Sequence, residues 1–411
     1  MASPPARESA PDLPPLSSEC ALSEPALWTR PFILLLASNV AFYFGFQLLV
    51  ASLPLYTVHL GGGEAVAGLV TGLFTLTAML VRPLTGWGLD AYGRRSIWRI
   101  ATIGCLFAVA AQGFAGTLVL LLLLRMVNGV FFGVSTTAGG AVAGDSVPTR
   151  RLGEGMGFVA VTMGVSLGVA PPLGLWLAGR GQYGALFVVA AVCTAIALAL
   201  QWNLGSRRPS RPHTTDARLS LRAMYEPTAL FPSVLMLLLI TGFGMIMALL
   251  ALSTKERGIG GVGLWFTVYA VALTLARSGT GRMSDRWGYR QTAIFGLIFA
   301  TAGLSLIAAA QNEWMLLTSG VLFGLGFGTT QPSLQAMLVE RSPRPRLGAA
   351  TAMFFFAYDL GMGVGSVVGG VLAGAIGMQS VFALGVLGPL GGIALLVGHL
   401  RRLPRPVRAA P

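Results

Sequence analysis

Only fifteen of the 411 residues are Asp or Glu, few enough that each can be placed against the apolar runs of the chain. Glu8, Asp12, Glu19 and Glu24 fall in a polar N-terminal tail, and Asp216 and Glu226 in a polar central segment. Glu64, Glu256 and Glu313 stand at one end of the apolar runs, whereas Asp90, Asp145, Glu154, Asp285 and Glu340 stand at the other. Asp359 alone lies deep inside a run; about a dozen residues in, at about 1.5 Å per residue, it reaches the middle of a hydrocarbon layer. An acid there costs at least about 2.5 kcal/mol to insert, and apolar surroundings favour its neutral form. Such a group can take up and release a proton. The other reading is a permanent ion pair with Arg125 or a hydrogen bond between helices.

Arg125 also falls inside an apolar run, where a cation needs a partner or water. It either fixes its own helix through backbone carbonyls, or biases the protonation of Asp359, or holds an anionic group of a ligand. Asn128, one turn on, can serve any of these roles. Asn39, Tyr43 and Gln47 recur at four-residue spacing and so share one helix face, and Gln331 and Gln335 repeat that spacing late in the chain. Such stripes either hydrogen-bond to neighbouring helices or line a polar cavity. Phe42, Phe46, Phe243, Tyr269, Phe327 and Tyr358 can supply aromatic walls or plain packing.

The elements that must position these residues are set by composition. With 54% hydrophobic and 10% charged residues and a mean hydropathy of +0.73, the chain is a membrane protein. About 20 apolar residues cross a bilayer, and by that measure twelve spans are expected: 32–55, 65–90, 97–115, 117–143, 154–178 and 184–204, then 229–253, 260–285, 292–310, 314–339, 347–374 and 380–400. The reading is therefore an all-α membrane protein with two six-helix bundles at 31–204 and 229–400. A disordered cytoplasmic tail at 1–30, a cytoplasmic linker at 205–228 and a basic tail at 401–411 complete it. The net charge of +13 resides in short clusters between spans rather than on one amphipathic face, which argues against nucleic acid. One set of loops holds Arg94, Arg95, Arg99, Arg150, Arg151, Arg286, Arg290, Arg341, Arg344 and Arg346, and the other only Arg180, Lys255 and Arg257. By the positive-inside rule both termini and the linker are cytoplasmic. Cys20, Cys105 and Cys193 and the scattered His59, His213 and His399 have no metal-type spacing, so no metal and no cofactor are expected, and no enzyme constellation is present. A single lysine among 28 basic residues, with abundant Ala, Gly and Pro, points to a GC-rich prokaryote and hence its inner membrane.

Gly86, Asp90, Gly93, Arg94 and Arg95 form a polar hinge after the second span, which returns as Gly281, Asp285, Arg286, Gly288 and Arg290 at an offset of 195 residues. At the same offset Arg82 meets Arg277, Gly129 meets Gly324, Gly133 meets Gly328, Asp145 meets Glu340 and Pro148 meets Pro343. One register across so many punctuating residues marks two copies of one unit. Six spans per copy give both the same orientation, as parallel repeats require.

The hinge resembles the G-x-x-x-D-(R/K)-x-G-R-(R/K) motif of the major facilitator superfamily, departing from it at Ala91 and Tyr289. Arg125 to Gly129 resembles the fourth-helix motif of drug:proton antiporters in that family, and Gly157, Ser166, Ala170, Pro171 and Gly174 resemble a degenerate fifth-helix antiporter motif. The resemblance implies the twelve-helix major facilitator fold and a central cavity lined by helices 1, 4, 7 and 10. It makes Asn39, Tyr43, Gln47, Asn128, Gln331 and Gln335 substrate contacts, and the reading of the buried charges beside it makes Asp359 and Arg125 the proton-coupling residues. It also implies a cytoplasmic gate in which Asp90 meets the helix start near Gly348 and Asp285 that near Gly153. The function implied is proton-coupled efflux of a small drug-like molecule or metabolite by a monomer in the lipid bilayer. Uptake of a sugar or organic solute, or a receptor or scaffold without transport, are the alternatives.

Overall fold

The computed structural model describes residues 27–148, 152–204, 226–343 and 346–401. Within these, the side chains of 83, 86–88, 90–92, 152–154, 285, 347–349 and 399–401 lie outside the described set. Every regular element among the described residues is a helix. They are α1 (Arg30–His59), α2 (Glu64–Tyr92), α3 (Arg94–Gln112), α4 (Leu118–Ser146), α5 (Leu152–Gly179) and α6 (Tyr183–Trp202). After the central segment come α7 (Pro227–Glu256), α8 (Val262–Trp287), α9 (Tyr289–Ala309), α10 (Glu313–Arg341), α11 (Leu347–Ile376), α12 (Met378–Gly385) and α13 (Leu387–Arg401). A turn at Val386 separates α12 from α13, which together make the twelfth span.

Ten of the twelve are long and apolar enough to cross a membrane on their own composition. The two that fall short are α3, which opens with Arg94, Arg95 and Arg99, and α10, whose apolar run is diluted by Gly, Thr, Ser and Gln. Both are flanked by helices that qualify: α3 packs on α4 and α6, and α10 on α8 and α9. Large apolar side chains such as Leu80, Phe107, Val188 and Leu275 are at least 60% exposed, a surface that suits lipid and not water.

Why these segments start and stop where they do is visible at the caps, and the caps repeat. Thr117 accepts a hydrogen bond from Leu120 N to open α4, and Asn312, 195 residues later, accepts one from Met315 N to open α10. Gly93 (φ 87°) and Gly288 (φ 84°) end α2 and α8 with the positive φ that glycine adopts at no steric cost. Gly129 and Gly133 on α4 press against the Phe74 and Ala78 carbonyls of α2, and Gly324 and Gly328 on α10 press against those of Tyr269 and Leu273 on α8. Each residue of the second set is the first set's counterpart at the same offset. The repeat seen as punctuation is thus a repeat of helix packing.

The chain enters α1 earlier than expected. Leu27 is buried against Phe32 and Val147, and Thr29 caps the helix. Residues 1–26, 205–225 and 402–411, which hold most of the expected tails and linker, lie outside the described residues. Glu226 caps α7 through Thr228 N and pairs with Arg346 at 2.8 Å.

Between α1–α6 and α7–α13 the main contacts are α2 with α11 and α5 with α8, joined by smaller contacts of α1 and α2 with α7. The repeat exchanges the first two: α2 corresponds to α8 and α5 to α11. The α2–α11 crossing is antiparallel, with Gly68 against Ser366 and Gly370, then Gly72 against Val367 and Gly363. At the α5–α8 crossing Gly263 abuts Pro172, and Thr267 Oγ1 donates to Gly168 O at 2.6 Å. All these residues belong to the halves of their helices nearest the face that carries few arginines.

Candidate functional site

Followed toward the arginine-rich face, the α2–α11 crossing ends on charge. Arg82 Nε lies 2.7 Å from Asp359 Oδ2, with the Asp359 side chain 8% exposed and that of Arg82 32% exposed. The pair is an ion pair by distance, but neither atom makes an aligned hydrogen bond, so it lacks part of the strength of a well-formed guanidinium–carboxylate contact. Arg82 comes from the first half of the chain and Asp359 from the second. Their contact ties the two halves together.

Around this pair stand phenols and a second guanidinium. The Arg82 charge reaches Tyr43 on α1 and Tyr358 on α11, and the Arg277 charge reaches Tyr358 and Tyr269. Arg277 on α8 donates to Gln331 Oε1 on α10 at 2.6 Å. Each half also carries a stack of rings. In the first, Phe46 stacks on Phe132 (4.1 Å between centroids) and Phe74 (5.4 Å). In the second, Phe243 stacks on Tyr269 (5.5 Å), with Phe327 at 5.6 Å from Phe243 and 6.5 Å from Tyr358.

The residues expected from sequence are brought together in part. Asp359 is buried as expected, but its partner is Arg82 and not Arg125. Arg125 is 1% exposed, donates to Asn128 Oδ1 at 3.1 Å and stacks over the Phe74 ring at 4.2 Å. Those two contacts supply part of what a cation in a helix bundle needs, leaving its Nε without a partner among the described residues. Asn39 and Gln47 are buried and Tyr43 half-buried, and no described residue hydrogen-bonds their side chains. Gln331 is engaged by Arg277, whereas Gln335 one turn on has no such partner among the described residues.

The hinge residues divide. Residues 86, 90 and 285, and residues 152–154 and 347–349 at the two helix starts, have side chains outside the described set, so the two expected gate contacts lie outside it too. Arg94 pairs with Asp145 at 2.6 Å, and Arg95 donates to Leu204 O at 2.8 Å, so both tie α3 to helix ends of its own half. A Cβ at Gly281 would meet open space, and Arg286 and Arg290 stand at the matching turn around Gly288. Sequence reasoning passed over Arg82 and Arg277 as site residues. The signal was available: each lies eight residues before a hinge aspartate, inside an apolar span, and the two repeat at the common offset.

Residues 35–260 and 233–411 match the family described as the Major Facilitator Superfamily. A multi-drug resistance efflux pump, PmrA of Streptococcus pneumoniae, is 24% identical over 351 residues, covering 82% of this chain and 87% of the relative. An uncharacterized MFS-type transporter of Pseudomonas aeruginosa is 30% identical over 395 residues, covering 87% and 90%. Among solved structures, a POT family transporter in complex with 5-aminolevulinic acid superposes with a TM-score of 0.76 at 13% identity, covering 90% of this chain and 96% of that one.

Proposed function

This chain belongs to the Major Facilitator Superfamily and is a multi-pass membrane transporter, and from that premise we propose that it exports a small drug-like molecule or metabolite in exchange for protons. The observation that carries the reading is Asp359. It is the one acid placed deep within a span, and it is held across the two halves by Arg82. The resemblance of the fourth helix to antiporters and the similarity to a pump named for efflux support the outward direction.

The mechanism follows from the contacts. With Asp359 ionised, its attraction to Arg82 holds α2 against α11. Protonation removes that attraction and frees Arg82, so the halves can part at the crossing. The glycine contacts near Gly68 and the Thr267–Gly168 hydrogen bond close the arginine-poor face. With the arginine-rich loops in the cytoplasm, the closed face is the outer one. The hinge motifs at Asp90 and Asp285 form the gate that closes when the halves rock the other way. Asn39, Tyr43, Gln47, Gln331 and Gln335 line the path, and Arg125 with Asn128 stiffens the fourth helix beside it.

Direction is tested in cells. A bacterial strain lacking the protein, given a panel of radiolabelled aromatic drugs and metabolites, should retain more of at least one compound than its parent. A strain that instead takes a compound up more slowly than its parent would reverse the direction.

A further inference from the structure

The charge at the α2–α11 crossing has a counterpart that is incomplete. Arg82 on α2 corresponds to Arg277 on α8 at the 195-residue offset, and Asp359 on α11 corresponds to Gly164 on α5. The packing keeps this correspondence. Gly72 meets Gly363 at the first crossing, and their counterparts Thr267 and Gly168 meet at the second. One turn further along, where the first crossing has Asp359, the second has a residue without a side chain. A Cβ added at Gly164 would find only Thr274 Oγ1 within 4 Å, at 3.4 Å. The place of the carboxylate is open.

Arg277 is therefore a guanidinium with no carboxylate partner among the described residues. Its one hydrogen bond among the described residues goes to Gln331 Oε1, a neutral amide, and its Nε is buried with no partner. Arg82 and Asp359 offset each other, and the phenols of Tyr269 and Tyr358 lie within electrostatic reach of Arg277. Among the described residues, one positive charge in the cluster is left without a counter-ion. A planar guanidinium in a water-poor site recognises a carboxylate through paired, charge-assisted hydrogen bonds. Tyr358, half-buried and backed by the buried rings of Phe327, Phe243 and Tyr269, offers a flank for an aromatic body.

We propose that the transported molecule carries a carboxylate that docks on Arg277, in the place that Asp359 holds at the related crossing. This deepens the transporter reading and rests on it. The substrate's anion completes the second crossing as Asp359 completes the first, so the occupied site carries one ion pair at each interface between the halves.

The test uses three probes with one ring system and different charge: 2-naphthoate, 2-naphthamide and 2-naphthylmethylammonium. Each is titrated against the purified full-length protein while thermal melting is followed. The wild type should be stabilised by naphthoate at a concentration at least about tenfold below that needed for the amide, as loss of a charge-assisted pair implies. Arg277→Gln should erase the preference, and Arg277→Lys should keep part of it. Gly164→Asp places an internal carboxylate in the open position and should weaken naphthoate binding while leaving that of the amide unchanged. Equal responses to naphthoate and amide, a preference that survives Arg277→Gln, or no response to naphthoate would each overturn the inference. Proton movement in proteoliposomes separates the two claims. If the amide drives it and naphthoate shows no advantage, the anion site falls and the exchanger stands. If naphthoate binds through Arg277 and no probe moves protons, the site stands and the coupling falls.

Discussion

Arg82 of α2 and Asp359 of α11 stand 2.7 Å apart across the line between the two halves of the chain. No other ion pair among the described residues joins the halves across the α2–α11 or α5–α8 crossings. Exposed pairs such as Arg94–Asp145 contribute about 0–1 kcal/mol and tie neighbouring helix ends of one half. The Arg82–Asp359 pair instead links the elements that must move apart.

Removing Arg82 should therefore cost more than removing a surface charge. Arg82→Gln leaves a carboxylate that is 8% exposed without its cation, and stability should fall by about 1–3 kcal/mol, less than for a fully buried pair because Arg82 is partly exposed. Asp359→Asn in the same chain should recover most of that loss. Chemical denaturation of the four proteins of the cycle measures the coupling, and strictly additive effects would mean that the pair contributes nothing.

The repeat makes a paired prediction. Gly129→Ala and Gly324→Ala each drive a methyl group into the backbone of the facing helix, so each should destabilise by about 1–3 kcal/mol, as overpacking does. Gly140→Ala, at a site where an added Cβ meets nothing within 4 Å, should be neutral or stabilising. Melting of the three variants checks this; a harmless Gly324→Ala beside a costly Gly129→Ala would break the equivalence.

Closure of the arginine-poor face depends on small residues. A Cβ at Gly68 would stand 3.0 Å from Gly370 Cα, so Gly68→Leu should disfavour this conformation and populate the opposite one. A single cysteine at Thr75, buried beside Gly363 in the crossing, should then react faster with an impermeant maleimide added from outside. Unchanged labelling would mean that the glycine contact does not hold the face shut.

Much of the fold was legible because bilayers impose crude rules that single sequences obey. Apolar length located the spans, and the recurrence of Gly93 at Gly288 and of Arg82 at Arg277 revealed the repeat before any packing was known. Asp359 was legible for the same reason: a lone acid in an apolar run stands out. Its partner was not, because Arg82 and Asp359 are separated by most of the chain and meet only where α2 crosses α11. Arg125 was the more conspicuous cation, lying in a longer apolar run, yet it is occupied by Asn128 and the Phe74 ring. The vacancy at Gly164 is invisible to motif reading, since it is the absence of a side chain at a position that matters only through its counterpart.

The proposed coupling of proton movement to transport rests on Asp359. Substrate-driven proton movement in proteoliposomes tests it, comparing the wild type with Asp359→Asn over a panel of candidate substrates. The wild type should move protons when a substrate is added, and the variant should bind the same substrate but move none. An Asp359→Asn variant that still moves protons at the wild-type rate would contradict it, and would reduce the Arg82–Asp359 pair to a structural tie between the halves.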